Sequence, residues 1–96
     1  MSFNQRVTER RRLDILLLLA ESPEYETSQM MVYQALPVAS SADAISADMA
    51  WLEEQGLVTL HNVSSITLAK ITQRGLDVAQ GRSRCPGVAR PLPEEG

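Results

Sequence analysis

The stretch that decides the fold is Ser40 to Gly75, SSADAISADMAWLEEQGLVTLHNVSSITLAKITQRG. Ile45, Met49 and Leu52 fall at i, i+4 and i+7, which is one face of an α-helix. Ser40 or Ser41 stands where an N-cap is needed, and Asp43 sits near the positive end of the helix dipole. Gly56, after Glu53-Glu54-Gln55, is placed where a helix ends in a left-handed residue. Leu57 to Leu60 then reads as a strand, His61 to Ser65 as a turn, and Ile66 to Ile71 as a second strand of period two. Thr72-Gln73-Arg74-Gly75 closes that strand and opens another helix, with Thr72 as its cap. The order is helix, tight stop, two short strands, helix.

Working back from there, residues 4–21 read as a first helix. Leu13, Leu16, Leu17 and Ala20 form one stripe, while Ile15, Leu18 and Leu19 fill the remaining directions. Consecutive large apolar residues, each turned by about 100°, cannot all face one core. Two readings stay open: a central helix covered on several sides by its own chain, or a face of Ile15, Leu18 and Leu19 that meets a second copy. Ser22-Pro23-Glu24 breaks this helix, and Tyr25-Glu26 is a candidate short strand. Thr27 or Ser28 caps a second helix over Gln29 to Leu36, with Met30 and Tyr33, and secondarily Met31 and Leu36, as its apolar face. The methionines read as gap-filling core. Leu36-Pro37-Val38-Ala39 ends it, because the residue before a proline avoids the α region. The third helix spans about Ala42 to Gln55.

Past the strands, Gly75 to about Gln80 form a short fourth helix with Leu76 and Ala79 inward, ended by Gly81. From Arg82 onward proline, glycine and arginine dominate and apolar periodicity is lost. The tail reads as disordered, or as an extended arm laid over a partner subunit. Residues 1–81 therefore form the folded domain and 82–96 an irregular tail.

A helix followed at once by a short β-hairpin and a closing helix resembles the second half of a winged helix-turn-helix domain. Asp48 to Val58 (DMAWLEEQGLV) and Ile71 to Ala79 (ITQRGLDVA) carry the resemblance. They match the corner that leads out of the recognition helix and the step that leads out of the wing. The resemblance implies a mainly α, α+β fold, order α-(β)-α-α-β-β-α, similar to the ArsR-like repressors. The whole chain, with its ending Cys85-Pro86-Gly87-Val88-Ala89-Arg90-Pro91, also resembles small winged-helix proteins encoded by Mu-like phages and prophages. The implied function is a DNA-binding, homodimeric transcriptional regulator of phage or prophage origin.

The composition fits one such domain. Ninety-six residues support a single core, and 44% apolar against 22% charged residues is globular composition. The single cysteine, Cys85, leaves no partner for an internal disulfide or a thiolate metal cluster. No signal sequence opens the chain, and the longest apolar run, Ile15 to Ala20, is far short of the roughly 20 residues that span a bilayer. A cytoplasmic protein without membrane contact is expected.

The net charge of −3 conceals a segregation. Residues 1–12 hold Arg6, Arg10, Arg11 and Arg12 against Glu9. Residues 13–69 hold eight acids (Asp14, Glu21, Glu24, Glu26, Asp43, Asp48, Glu53 and Glu54) and no lysine or arginine. From Lys70 to Pro93, Lys70, Arg74, Arg82, Arg84 and Arg90 face only Asp77, before Glu94 and Glu95 end the chain. Cations occupy the two ends and the middle is anionic.

Catalytic chemistry finds no foothold in this pattern. The single histidine, His61, lacks an acid at triad or metal spacing and reads as a solvated hairpin residue. Cys85 beside Pro86 has no helix N-terminus to activate it and reads as inert. The glycines are dispersed as caps and turns rather than gathered into a phosphate loop. Cysteine pairs and His/Asp clusters of the kind ArsR-like metal sensors use are absent. No enzyme, cofactor, metal or small-molecule substrate is expected.

Double-stranded DNA is the partner the resemblance implies. A recognition helix usually presents Arg, Lys, Asn or Gln to base edges. The exposed face expected here offers Ser41, Asp43, Ala44, Ser46, Ala47, Ala50 and Glu54 instead. Of these, Ser41, Ser46, Ala47 and Ala50 are the candidate groove contacts. Phosphate contacts would come from Lys70 and Arg74 and from Arg10 and Arg11, although Arg10 to Arg12 equally fit a solvated helix end paired with Asp14 or Glu9. A protein partner on the anionic helix is the competing expectation. Trp51 bears on it: it reads as a lid on the core against the first helix or the tail, or as an exposed anchor for that partner.

Overall fold

In the computed structural model, which describes residues 2–36 and 40–93, the first helix α1 (Phe3–Glu21) is capped by Ser2, whose Oγ accepts from the Gln5 amide at 3.1 Å. A single 3-10 turn (Pro23–Tyr25) leads into β1 (Glu26–Ser28) and α2 (Gln29–Ala35). Then come α3 (Ala42–Glu54), the hairpin strands β2 (Val58–Val63) and β3 (Ile66–Ile71), and α4 (Gln73–Ala79). The three strands form one antiparallel sheet, order β1-β3-β2. This is the expected α+β winged-helix order.

Helix α1 runs through the core. Leu13, Ile15, Leu16 and Leu19 are wholly buried, with Leu17, Leu18 and Ala20 half-buried against the same cluster. It packs on α4, β3 and β1, so its apolar run is satisfied within one chain. Ile15 and Leu19, expected with Leu18 to face a second copy, lie inside this core, and of the three only Leu18 keeps accessible surface.

Local departures from the sequence reading have local causes. The first strand starts at Glu26 rather than Tyr25, because Glu24 and Tyr25 adopt φ of 57° and 63°, which no strand residue can hold. The hairpin is longer than expected: His61, Asn62 and Val63 pair with Leu68, Thr67 and Ile66, and the turn shrinks to Ser64-Ser65. Ser64 supplies the positive φ, 57°, that a two-residue hairpin turn demands. On α2 the core contact is Val32, with half-buried Leu36 one turn later. Met30, Met31 and Tyr33, expected inside, are 69%, 54% and 47% exposed. The chain leaves α2 through Leu36 at φ −67°, ψ 140°, the extended geometry a following proline imposes. The rest of the expected turn, Pro37-Val38-Ala39, lies outside the described residues.

The corner joining α3, the hairpin and α4 is built as the sequence indicates. Gly56, at φ 77°, donates to Glu53 O at 2.9 Å, and Leu57 donates to Leu52 O at 3.0 Å, which is a Schellman stop. Thr72 Oγ1 donates to Gly56 O at 2.7 Å and accepts from the Gly75 amide at 3.0 Å, while its own amide donates to Leu57 O at 3.0 Å. One threonine thus caps α4 and closes α3 against the hairpin. Gly75 packs directly on the Leu57 backbone.

The tail also folds onto its own chain, although most of it takes neither helix nor strand. Cys85 and Val88 are buried and join the core, and the Ala89 amide donates to Glu9 O on α1 at 3.1 Å. Its last three residues lie outside the described residues.

A buried ionic cluster ties this tail to both long helices. Asp48, on the core side of α3, accepts from Arg11 Nε through Oδ2 and from Arg12 Nε through Oδ1, the latter at 3.1 Å. The Asp48 side chain is 4% exposed, and those of Arg11 and Arg12 are 15% and 18% exposed. Arg12 continues to Gly87 O at 3.1 Å and stacks over Trp51, 3.9 Å from the ring centroid. Gly87, at φ 99°, lies flat on that ring, where a Cβ would come within 2.6 Å of Trp51 Cζ2. Trp51 is therefore a lid that meets both α1 and the tail.

Two substitutions test these joints. Gly75→Ala would set a methyl 2.6 Å from Ile71 Cγ1 and closer still to the Leu57 carbonyl, and should cost about 2–3 kcal/mol in urea unfolding. Asp48→Ala leaves two nearly buried guanidiniums without their anion, for an expected loss of about 3 kcal/mol and faster tryptic cleavage after Arg84. An unchanged midpoint and digestion rate would refute the proposed role of the cluster.

Candidate nucleic-acid interface

Helix α3 owes its position to two opposed faces. Ile45, Met49 and Leu52 are buried, and Asp48 joins them through its arginines. Asp43, Ser46, Ala47, Ala50, Glu53 and Glu54 are exposed on the other side. Ser41 is exposed too, but its hydroxyl accepts from the Ala44 amide at 3.0 Å, so its first task is to cap the helix. The outward face of α3 thus presents methyls, one serine hydroxyl and carboxylates.

The hairpin lies alongside this face. Glu53 accepts from the Leu60 amide at 2.9 Å, using an otherwise unpaired donor on the outer edge of β2. Ser46 and Ala50 line one wall of the groove between helix and hairpin, and His61 and Asn62 line the other. Asn62 accepts from Thr67 Oγ1 at 2.8 Å, and His61 Nε2 lies 3.6 Å from Glu26 Oε2. Gln29, Thr67 and Leu60 complete the lining, which is mostly uncharged and polar, and its one carboxylate is that of Glu53.

The candidate phosphate contacts separate into two groups. Lys70 and Arg74 are exposed. Lys70 sits late on β3, opposite Thr59 and Glu26, and the Arg74 stem passes beside Gly56 at the C-terminal end of α3. Both therefore lie toward the α3 C-terminus and the base of the hairpin. Arg10 and Arg11 lie on α1. Arg10 Nε bonds Asp14 Oδ1 at 3.0 Å, and Arg11 is held by Asp48. The structure therefore does not bring Arg10 and Arg11 together with Ser46, Ala47 and Ala50 on one accessible face. Arg82 is engaged as well: it bonds Asp77 at 2.9 Å, and that guanidinium, followed by the Gln73 amide, holds the Asp77 carboxyl below its ordinary value.

The Arg11–Asp48–Arg12 cluster escaped the sequence reading, yet a signal was present. Asp48 falls at i+3 from Ile45 and just before Met49, so the helical face that carries the core also carries an acid. An acid in that position needs a cation from elsewhere in the fold, and the run Arg10-Arg11-Arg12 supplies it. Among the described residues, no group of three or more His, Cys, Asp or Glu is placed to hold a metal ion, and no helix is long and apolar enough to cross a membrane.

No family model matches the chain, but two proteins resemble it in sequence and one solved structure resembles it in fold. Protein gp26 of Escherichia phage Mu is 38% identical over 93 residues, covering 94% of this chain and 96% of that protein. An uncharacterized protein of Haemophilus influenzae is 32% identical over 95 residues, covering 90% and 92% of the two chains. Among solved structures, a MarR family transcriptional regulator from Streptomyces coelicolor superposes with a TM-score of 0.63 at 28% identity. That match covers 71% of this chain but only 46% of the regulator, so the chain spans about half its length. The winged helix is thus shown, and the solved relative is of the MarR family rather than the expected ArsR-like type. By its identity to gp26 along nearly its full length, the chain belongs to the family of that phage Mu protein.

Proposed function

We propose that this protein is a DNA-binding transcriptional regulator of the phage and prophage type, acting as a homodimer without a cofactor. The observation that carries the reading is the α2–α3 helix pair with its adjoining hairpin, on a fold shared with a transcriptional regulator at 28% identity. In this reading the small outer face of α3, with Ser46, Ala47 and Ala50, approaches the groove closely, and Lys70 and Arg74 hold the phosphates beside it. Ser41 keeps the helix N-terminus closed. The dimer contact would use Leu17 and Leu18, the half-buried residues of the α1 apolar run.

A second reading rests on a specific observation. The accessible face of α3 shows Asp43, Glu53 and Glu54, and the nearest run of arginines is turned inward to Asp14 and Asp48. Carboxylates at that face repel phosphate, which favours an adaptor that binds protein in place of DNA.

Titration of labelled mixed-sequence duplexes at several salt concentrations separates the two. Two phosphate contacts per chain give a log–log salt slope of about −2, so affinity should fall roughly tenfold between about 50 and 200 mM salt, and more steeply in a dimer. Lys70→Ala/Arg74→Ala should flatten that slope by about 2 and weaken all sequences alike. Absence of binding at the lower salt would reject the regulator. On the dimer, Leu18→Glu is expected to shift the protein from two chains to one by light scattering, and a monomeric parent chain would remove this part of the reading.

A further inference from the structure

A second groove adjoins the one between α3 and the hairpin, sharing Gln29 and Thr67 with it, and its apolar lining is used by neither reading. It opens where the N-terminal turns of α2 and α3 meet the hairpin tip, and Met30, Tyr33, Ala42, Ile45 and Ile66 line it. Its volume is about 520 Å³. Ile45 forms the buried floor, whereas Met30 is 69%, Ile66 52% and Tyr33 47% exposed. Val63, 52% exposed, pairs with Ile66 across the hairpin tip and extends the apolar surface. On a chain this short, four large exposed apolar residues gathered around one depression form an unusual patch, because each lost an opportunity to join the core. One of them is Met30, whose unbranched, polarizable chain adapts to the shape of an incoming surface.

Charge decides what such a surface can receive. The elements that build the groove are β1, α2, α3 and the hairpin, and up to Lys70 at the far end of β3 they contain no lysine or arginine. Their acids are Glu26, Asp43, Asp48, Glu53 and Glu54, of which only Asp48 is neutralised by arginines. Asp43, next to Ala42, stands exposed beside the groove. An apolar depression in a field of uncompensated carboxylates selects a segment that is apolar on one side and cationic on the other.

We propose that this groove is a docking site for an amphipathic, lysine- or arginine-rich helix of a partner protein, with apolar side chains seated between Met30, Tyr33 and Ile66. Neither Lys70 nor Arg74 borders the groove, but Gln29 and Thr67 line both it and the groove beside Ser46 and Ala50, so the two sites adjoin and the test must tell them apart. The docking site differs from the partner anchor expected at Trp51, which Arg12 and Gly87 cover.

The test uses the full chain with methyl-labelled methionine and three synthetic helical peptides: a leucine/lysine amphipath, its leucine/glutamate counterpart, and the leucine/lysine composition scrambled to abolish the apolar face. Met49, fully buried, is an internal reference for Met30. The cationic amphipath should shift the Met30 methyl resonance and leave Met49 in place. By fluorescence anisotropy it should bind at least tenfold tighter than the other two peptides, and Met30→Ser/Ile66→Ser should weaken it at least tenfold. Both altered side chains are exposed; should that variant lose its native spectrum, Tyr33→Ser serves in its place. Equal binding of the scrambled peptide, or unchanged binding by the variants, would reduce the attraction to bulk charge and overturn the proposal. Loss of self-association in the variants by light scattering would assign the groove to a second copy, and loss of duplex binding would assign it to DNA; each also overturns it.

Discussion

The interaction on which the rest of the structure depends is the Asp48 carboxylate held between Arg11 and Arg12. It is the place where α1, α3 and the tail are fixed to one another by directed bonds rather than by apolar contact alone. Leu13, Leu16, Met49 and Leu52 share one apolar core, but apolar packing is tolerant of sliding. Two guanidiniums on one carboxylate are not tolerant, since either bond loses strength steeply with misalignment. Burial makes the cluster costly to break, because a lone carboxylate or guanidinium in that position would be desolvated without compensation. The Arg12 guanidinium then spends its remaining capacity on the Gly87 carbonyl and the Trp51 face, and so specifies the path of a tail that has no secondary structure of its own.

That arrangement has a direct consequence for function. The N-terminal arginines look in sequence like a basic arm, yet Arg11 and Arg12 are consumed by the fold and Arg10 pairs with Asp14. What the molecule can offer to phosphate is therefore set by residues at its other end, Lys70 and Arg74, together with the exposed Arg6, Arg84 and Arg90. A formal count of basic residues overstates the available positive charge, because a cation that satisfies a buried acid releases no counterions from DNA.

Much of the fold was legible because its signals are local. Gly56 needed a left-handed backbone, Thr72 offered a hydroxyl to a helix start, and Ile66 to Ile71 alternated; each fixes its own element without help from afar. The misreadings came where the competing influence was distant or unsigned. The Ser64-Ser65 turn contains neither glycine nor asparagine, so nothing marked the hairpin as two residues tight. Met30 and Tyr33 carry the period of a helix face, but in a helix of seven residues a single buried position, Val32, sets the orientation and turns them outward. The tail kept no periodicity because it is held by Arg12, Glu9 and two buried side chains, a set of contacts that is invisible until α1 and α3 are placed side by side. Of the candidate site, Ser46, Ala47 and Ala50 were readable as an exposed face from helical spacing alone. The fate of Arg11 required knowing which way Asp48 points.

The outer surface of α3 and the groove at its N-terminal end follow from one property of the sequence, the absence of lysine and arginine between residues 13 and 69. With the cations at the ends of the chain, all three of the elements that a winged helix normally presents to a partner, α2, α3 and the hairpin tip, are either neutral or acidic. Coulomb attraction to DNA must then act from Lys70 and Arg74 at one side of this surface, across a helix whose own carboxylates oppose it, and a partial cancellation within a Debye length of about 8–10 Å is unavoidable. The same carboxylates and the exposed Met30, Tyr33 and Ile66 lower the free energy of a cationic, apolar partner without any such opposition. The two kinds of partner thus draw on different residues of adjoining surfaces, Lys70 and Arg74 for DNA and Met30, Tyr33 and Ile66 for protein.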